Sequence, residues 1–194
     1  MKTLLATASL LALAACQPAA APGPEAKPPA DAAAAPASAG CSASAELAWP
    51  AELTASAIAT GPSCEKAAVL LVVRNDEKDP LLVWSSPTSD VFGLYDRTDS
   101  AAMTAGLKEW IDQASNNMPS SSKLPEWKAG AESPGDAASE FPFHVEEWMD
   151  RDTYEAIRKE DLVTFMFPQG RESAAVFVYR DLQIEPVGIQ QFPG

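Results

Sequence analysis

Between Gln17 and Gly40, eleven alanines and six prolines fill 17 of 24 positions. No other stretch limits the fold as much. Proline fixes φ and removes a backbone donor, so no regular helix or ladder strand is expected through this segment. Alanine alone buries too little area to offset the entropy of ordering. The stretch therefore predicts a semi-rigid tether with polyproline II character, spanning at most about 70 Å at ~3.1 Å per residue. Folding falls to residues 41–194. With 46% hydrophobic and 21% charged residues, the chain is too apolar to be wholly disordered, and the remainder is long enough for one core.

Ahead of the tether stand Met1-Lys2-Thr3, the twelve residues Leu4 to Ala15, and Cys16. One positive charge, a short apolar run and small residues at its end read as a secretory signal. The run is too short for a membrane span, which needs about 20 apolar residues. Leu13-Ala14-Ala15-Cys16 resembles the lipobox of bacterial lipoproteins. The resemblance covers residues 1–16 alone. It implies removal of residues 1–15, a diacylglyceryl thioether on Cys16, an N-acyl (palmitate-type) chain, and a lipid bilayer as the partner held through Cys16. Such chains add about 0.8 kcal/mol per buried CH₂ and together make a stable anchor. Gln17 stands where lipoproteins retained at the inner membrane carry Asp. That implies an outer-membrane location, with residues 41–194 in the periplasm or at the cell surface. The other reading is an ordinary secretory peptide cleaved near Ala15, leaving a free thiol.

The chain has three cysteines. With Cys16 given to lipid, Cys41 and Cys64 remain, and an exported protein folds under oxidising conditions. One Cys41–Cys64 disulfide is the expectation, worth about 3 kcal/mol for a loop of that size. A catalytic or metal-binding thiol pair is the competing reading, but it lacks both a C-x-x-C spacing and a neighbouring histidine.

Beyond Cys64, hydrophobic patterning predicts the elements. Ala67 to Val73 is a continuous β-branched run, as in a strand buried on both faces. Turn formers Asn75 to Pro80 separate it from Leu81-Leu82-Val83-Trp84, its hairpin partner. Thr98 and Asp99 can cap a helix to about Ala114, in which Met103, Leu107, Trp110, Ile111 and Ala114 form one apolar stripe covering a sheet face. From Ser115 to Glu140 the pattern dissolves into a long connection of the kind that can be functional; Trp127 in its middle is placed to pin it to the body. A second helix is expected from Asp152 to Asp161, capped by Asp152 or Thr153, with Glu155 and Lys159 as an i,i+4 pair. Leu162 to Phe167 and Ala174 to Tyr179, around Pro168-Gln169-Gly170-Arg171, form a second hairpin. Leu182 to Glu185 alternates like a half-exposed strand that Pro186 confines to an edge or ends. Strands grouped with helices between them point to α+β: a mainly antiparallel sheet with two helices, a single domain stapled by one disulfide.

Charge excludes one class of partner. Net charge is −13, and residues 41–194 hold 12 of the 14 Lys+Arg and 25 of the 27 Asp+Glu. Phosphate contacts need a basic face, so nucleic acid is not expected, whereas a cationic envelope protein suits this surface.

Motifs of chemistry are few. His144 is the only histidine, and a Ser/His/Asp site would have to use it, yet no G-x-S-x-G elbow is present. Glu140, Glu146, Glu147 and Asp150 offer carboxylate pairs whose separation sequence does not supply. Asp150, Asp152 and Asp161 occupy positions one, three and twelve of a calcium-loop pattern, but Glu155 stands where that loop needs Gly, and a capped helix explains the same residues. Tyr95 to Asp99 and Met149 to Thr153 look alike, as shared helix-start chemistry would make them. Trp127 and Trp148 are the tryptophans best placed for exposure; Trp84 and Trp110 belong to the core. No glycine-rich phosphate loop occurs. No catalytic residue, metal ligand or cofactor is assigned. The expectation is a lipid-anchored envelope protein whose small acidic domain serves as a binding or assembly module. The alternative is an envelope hydrolase using His144 or a carboxylate pair.

Overall fold

The computed structural model describes residues 40–135 and 141–192. Its first two strands come from a stretch where hydrophobic patterning assigns none. Strand β1 (Cys41–Trp49) and strand β2 (Leu53–Gly61) pair antiparallel without a break, from Cys41 opposite Gly61 to Trp49 opposite Leu53. Alanine is a poor strand former in isolation. Here the alternation of small and polar residues does the work: Ala43, Ala55, Ala57 and Ala59 are buried, while Ser42, Ser44 and Thr60 face out. Strand β3 (Ala68–Arg74) and strand β4 (Pro80–Pro87) extend the meander, giving a four-stranded sheet in the order β1-β2-β3-β4.

The run Ala67 to Val73 is not buried on both faces as expected. Val69, Leu71 and Val73 are fully buried, but Leu70 on the other side is 36% exposed. An antiparallel meander can leave its outer face to solvent, which a parallel sheet rarely does. That outer face carries an apolar row, with Ile58 opposite Leu70 and Val72 opposite Val83.

A second antiparallel sheet has the order β5-β8-β7-β6, built from β5 (Phe143–Val145), β6 (Thr164–Pro168), β7 (Ser173–Arg180) and β8 (Gln183–Gln191). Both faces of this sheet are covered. Phe165, Phe167, Ala175 and Phe177 join the core shared with the first sheet. Val176, Val178 and Val187 join a smaller core against Tyr154 and Ile157. The residues of β7 thus alternate between two cores, as a strand's period of two requires. Helix α1 (Ser100–Asn116) lies against β1, β2 and β6, and helix α2 (Arg151–Glu160) supplies Tyr154 and Ile157.

Helix α1 matches its predicted stripe: Met103, Leu107, Trp110, Ile111 and Ala114 are all buried. The Asp99 carboxylate caps it by accepting from the Ala102 amide at 2.8 Å. Two indoles lock it to the sheets. Trp49 Nε1 donates to the Ile111 carbonyl (2.9 Å) and Trp110 Nε1 to the Pro168 carbonyl (3.0 Å). Phe167 sits among the rings of Trp84, Trp110 and Phe177, with centroids 5.4 to 5.7 Å apart. Trp110 is buried in the core, as predicted, and Trp84 is partly buried and packs against it.

Three local expectations are corrected. The cap of α2 is Asp150, accepting from the Thr153 amide at 2.8 Å, and not Asp152 or Thr153. The Glu155 carboxylate pairs with Arg158 at 2.8 Å instead of Lys159, because Arg158 is also drawn in by the Leu124 carbonyl. Pro186 does not end β8, which continues to Gln191 between β7 and β5, and only the stretch up to Pro186, paired with β7 alone, is an edge. The pairing shifts there, Phe177 facing Pro186 and Val176 facing Gly188, so Val187 is an extra residue in a bulge. On the other side β5 reaches only Gly188 to Gln190. The missing proline donor thus falls where the ladder is already interrupted.

The long connection after α1 is not structureless. Ser121–Lys123 form a 3-10 turn. The buried Ser121 hydroxyl donates to the Ile157 carbonyl and accepts from the Leu162 amide. The Trp127 amide donates to Glu155 (2.9 Å), and its ring meets Tyr154 edge-on at 5.7 Å. Trp127 does pin this segment to the body, through α2.

Candidate functional site

The disulfide is formed: Cys41, at the start of β1, is bonded to Cys64 in the 3-10 turn Cys64–Lys66 between β2 and β3. The buried Thr88 hydroxyl donates to the carbonyls of Cys64 (2.8 Å) and Ala67 (3.0 Å), which fixes that turn from the other side. Cys16 and Glu140 lie outside the described residues.

The structure does not bring the other sequence-selected residues together as a site. His144 is exposed on β5, and among the described residues no side chain hydrogen-bonds to its ring. Asp150 and Asp161 are spent on helix ends: Asp150 as the cap, Asp161 in the left-handed region (φ 55°) accepting from the Ser120 hydroxyl. Among the described residues, no group of three His, Cys, Asp or Glu side chains is arranged to hold a metal ion. Tyr95 to Asp99 and Met149 to Thr153 prove inequivalent, since the cap is the last residue of the first segment and the second residue of the other. Trp148 is 57% exposed and stands apart from the other indoles, whereas Trp127 is partly buried.

Perturbed titrations gather around α2 and have structural causes. Hydrogen bonds from the Thr153 amide and hydroxyl hold the Asp150 carboxyl below its ordinary value. Hydrogen bonds from the Ser120 and Ser122 hydroxyls do the same for Asp161. Desolvation pushes Glu155 up, but the Trp127 amide and the Arg158 guanidinium outweigh it and the net direction is down. Burial raises the Tyr154 phenol, whose hydroxyl donates to the Pro125 carbonyl at 2.8 Å. These groups cap a helix and tie a loop to it.

A surface built like a binding site lies elsewhere. Phe92 is 57% exposed, Tyr95 41% and Phe192 38%, and they cluster where two loops meet. The first loop connects β4 to α1. Val91 and Leu94 anchor it in the core, which leaves Phe92 and Tyr95 outside. Gly93 makes this reversal possible with φ +83°, a conformation that favours glycine. The second loop is the β6–β7 turn. It clasps the first through the Phe92 amide, which donates to the Gly170 carbonyl at 3.1 Å. Arg171 completes the clasp: Nε and Nη2 both donate to the Ser89 carbonyl (3.2 and 3.1 Å), and its guanidinium lies 4.9 Å from the Tyr95 ring centroid.

Between these loops, the end of α1 and the C-terminal end of β8 opens a cavity of about 330 Å³, within the size range of ligand pockets. Phe92, Met166, Ala174 and Phe192 make its apolar walls, and Gln113 in the last turn of α1 and Asn117 just past its end bring amides to the rim. A shallower cavity of about 220 Å³ shares Phe92 and Gln113 and continues toward Arg97 and Glu109.

No known protein family, curated protein or solved structure matches this chain. Its chemistry is therefore carried by its own geometry.

Sequence reasoning passed over Phe92 and Phe192, and treated Tyr95 only as part of a repeat and Arg171 only as part of a turn. The one signal was for Phe92 and Tyr95: an apolar cluster, Val91-Phe92-Gly93-Leu94-Tyr95, too short for an element and lying between turn formers and a helix cap.

Proposed function

We propose that this chain is a lipid-anchored protein of the bacterial cell envelope whose acidic α+β domain is a binding module, with the Phe92–Phe192 groove as its contact surface. The groove is the observation that carries the binding assignment. Phe92, on a loop clasped by Arg171, and Phe192, at the end of β8, are left half-exposed beside a cavity and present apolar surface that a partner would bury. The envelope assignment draws support from cysteine usage. Cys41 and Cys64 are paired, as an oxidising compartment allows, and the remaining thiol, Cys16, ends the lipobox-like run. Acylation at Cys16 and the Ala/Pro-rich segment would hold the domain on a tether from an outer membrane, where its net negative charge favours basic partners.

Two measurements test this reading. The mass of the mature N-terminal peptide should correspond to Cys16 carrying a diacylglyceryl thioether; an unmodified Cys16 refutes the anchor. A photo-crosslinking residue at position 92, in intact envelopes, should capture a defined partner that the same residue at position 83, on the outer face of the first sheet, does not. Equal or absent capture from the two positions refutes the groove as the contact surface.

A further inference from the structure

We infer that the groove recognises the free carboxyl terminus of a basic polypeptide ending in a large apolar residue, with Arg171 taking the carboxylate; this rests on the groove being the contact surface. The first ground is charge. In a chain of net charge −13, Arg171 is, among the described residues, the only charged one lining the larger cavity, and no carboxylate among them lies within 4.0 Å of it. Arg97, Arg158 and Arg180, by contrast, all have acidic partners.

The second ground is preorganisation. The Ser89 carbonyl takes Nε and one hydrogen of Nη2, and the Tyr95 face supports the plane of the group. The end-on edge remains: among the described residues Nη1 has no hydrogen-bond partner, and with the second hydrogen of Nη2 it matches the two oxygens of a carboxylate. A long side chain held this way loses little further freedom on binding.

The third ground is what surrounds the guanidinium. Phe92, Met166 and Phe192 enclose space for one large side chain beside it, and the Gln113 and Asn117 amides can meet a peptide backbone. The net negative charge decides the source of the carboxylate. It repels a small free anion at long range but attracts a cationic chain that carries its carboxylate at one end.

The test titrates the full-length protein, observed by NMR, with three probes: the peptide acetyl-Lys-Lys-Ala-Leu-Phe with a free carboxylate, the same peptide as its C-terminal amide, and 3-phenylpropanoate. The acid should bind with shifts at the Arg171 Nε–H and at Phe92 and Phe192. The amide should bind about tenfold more weakly or worse, as the loss of a charge-assisted hydrogen bond implies. R171Q should bring acid and amide to equal, weak affinity while the shifts of α2 stay unchanged, which shows that the variant folds. Acid and amide binding equally well in the groove would overturn the carboxylate assignment and leave the groove as a contact surface. Phenylpropanoate binding as tightly as the peptide would overturn the polypeptide source. No shift at the groove with any probe would overturn the inference, and position-92 crosslinking would then decide the broader reading separately.

Discussion

Reduction of the Cys41–Cys64 bond perturbs this domain at a single defined point. The two cysteines are 23 residues apart in sequence, so the cross-link closes a loop that the unfolded chain would otherwise explore freely. Chain-entropy arguments put the stabilisation for such a loop at about 3 kcal/mol at 25 °C. In the folded state the reduced protein keeps its other restraints: Cys41 still faces Gly61 in the ladder, and Thr88 still bonds the Cys64 and Ala67 carbonyls. Reduction should therefore leave the fold intact and lower its unfolding free energy by about 3 kcal/mol, or Tm by roughly 6–12 °C for a domain of this size. Urea titration with and without a phosphine reductant measures the loss. The m-value should rise, because the reduced unfolded chain exposes more surface. Hydrogen exchange adds a spatial check, since β1 amides should lose protection no earlier than the rest of the first sheet. A loss below about 1 kcal/mol with unchanged m would refute the reasoning. Early and selective loss of β1 protection would show instead that the bond holds an otherwise weak edge strand.

The remaining predictions concern the core and the charged ends of α2. Phe167→Ala removes a fully buried ring that touches Trp84, Trp110 and Phe177, so it should destabilise by about 3–5 kcal/mol in urea unfolding, whereas Phe167→Leu should retain most of the stability. Asp150, Glu155 and Asp161 all titrate lower in the folded state than in the unfolded chain. Their contribution is full above the unfolded values, about 4 for Asp and Glu, and disappears as pH falls through the folded ones. Unfolding free energy should therefore decline below roughly pH 5, and Asp150→Asn with Asp161→Asn should flatten that slope; an unchanged slope would refute the assignment.

The helix and the strong hairpins were legible because their signals are local. Five apolar residues of α1 at helical spacing name the buried face before any partner is known, and β-branched runs around turn formers name β3, β4, β6 and β7. Strands β1 and β2 were not legible. Their alanines form strands in a ladder that β3 extends and are buried against the core, which no local pattern announces. Pro186 misled for a related reason, since whether a missing donor matters depends on where the neighbouring strands stop. The groove was least legible of all. Ser89 and Arg171 are 82 positions apart, and Phe192 arrives from the end of β8, so no window of sequence contains the cluster. The tryptophans, which stand out in composition, go mainly to packing: Trp49, Trp84 and Trp110 join α1 to both sheets.

The position of the disulfide also settles how the domain would respond to a pull. Any tension in the chain ahead of Gly40 enters the fold at Cys41, the first residue of β1. Without a cross-link, that load would peel β1 from β2 one hydrogen-bond pair at a time, the weakest geometry for a sheet. With Cys41 bonded to Cys64, the force passes by covalent bonds into the turn between β2 and β3, and β1 lies outside the load path. A domain held by its N-terminal end is thereby protected at the strand that would tear first.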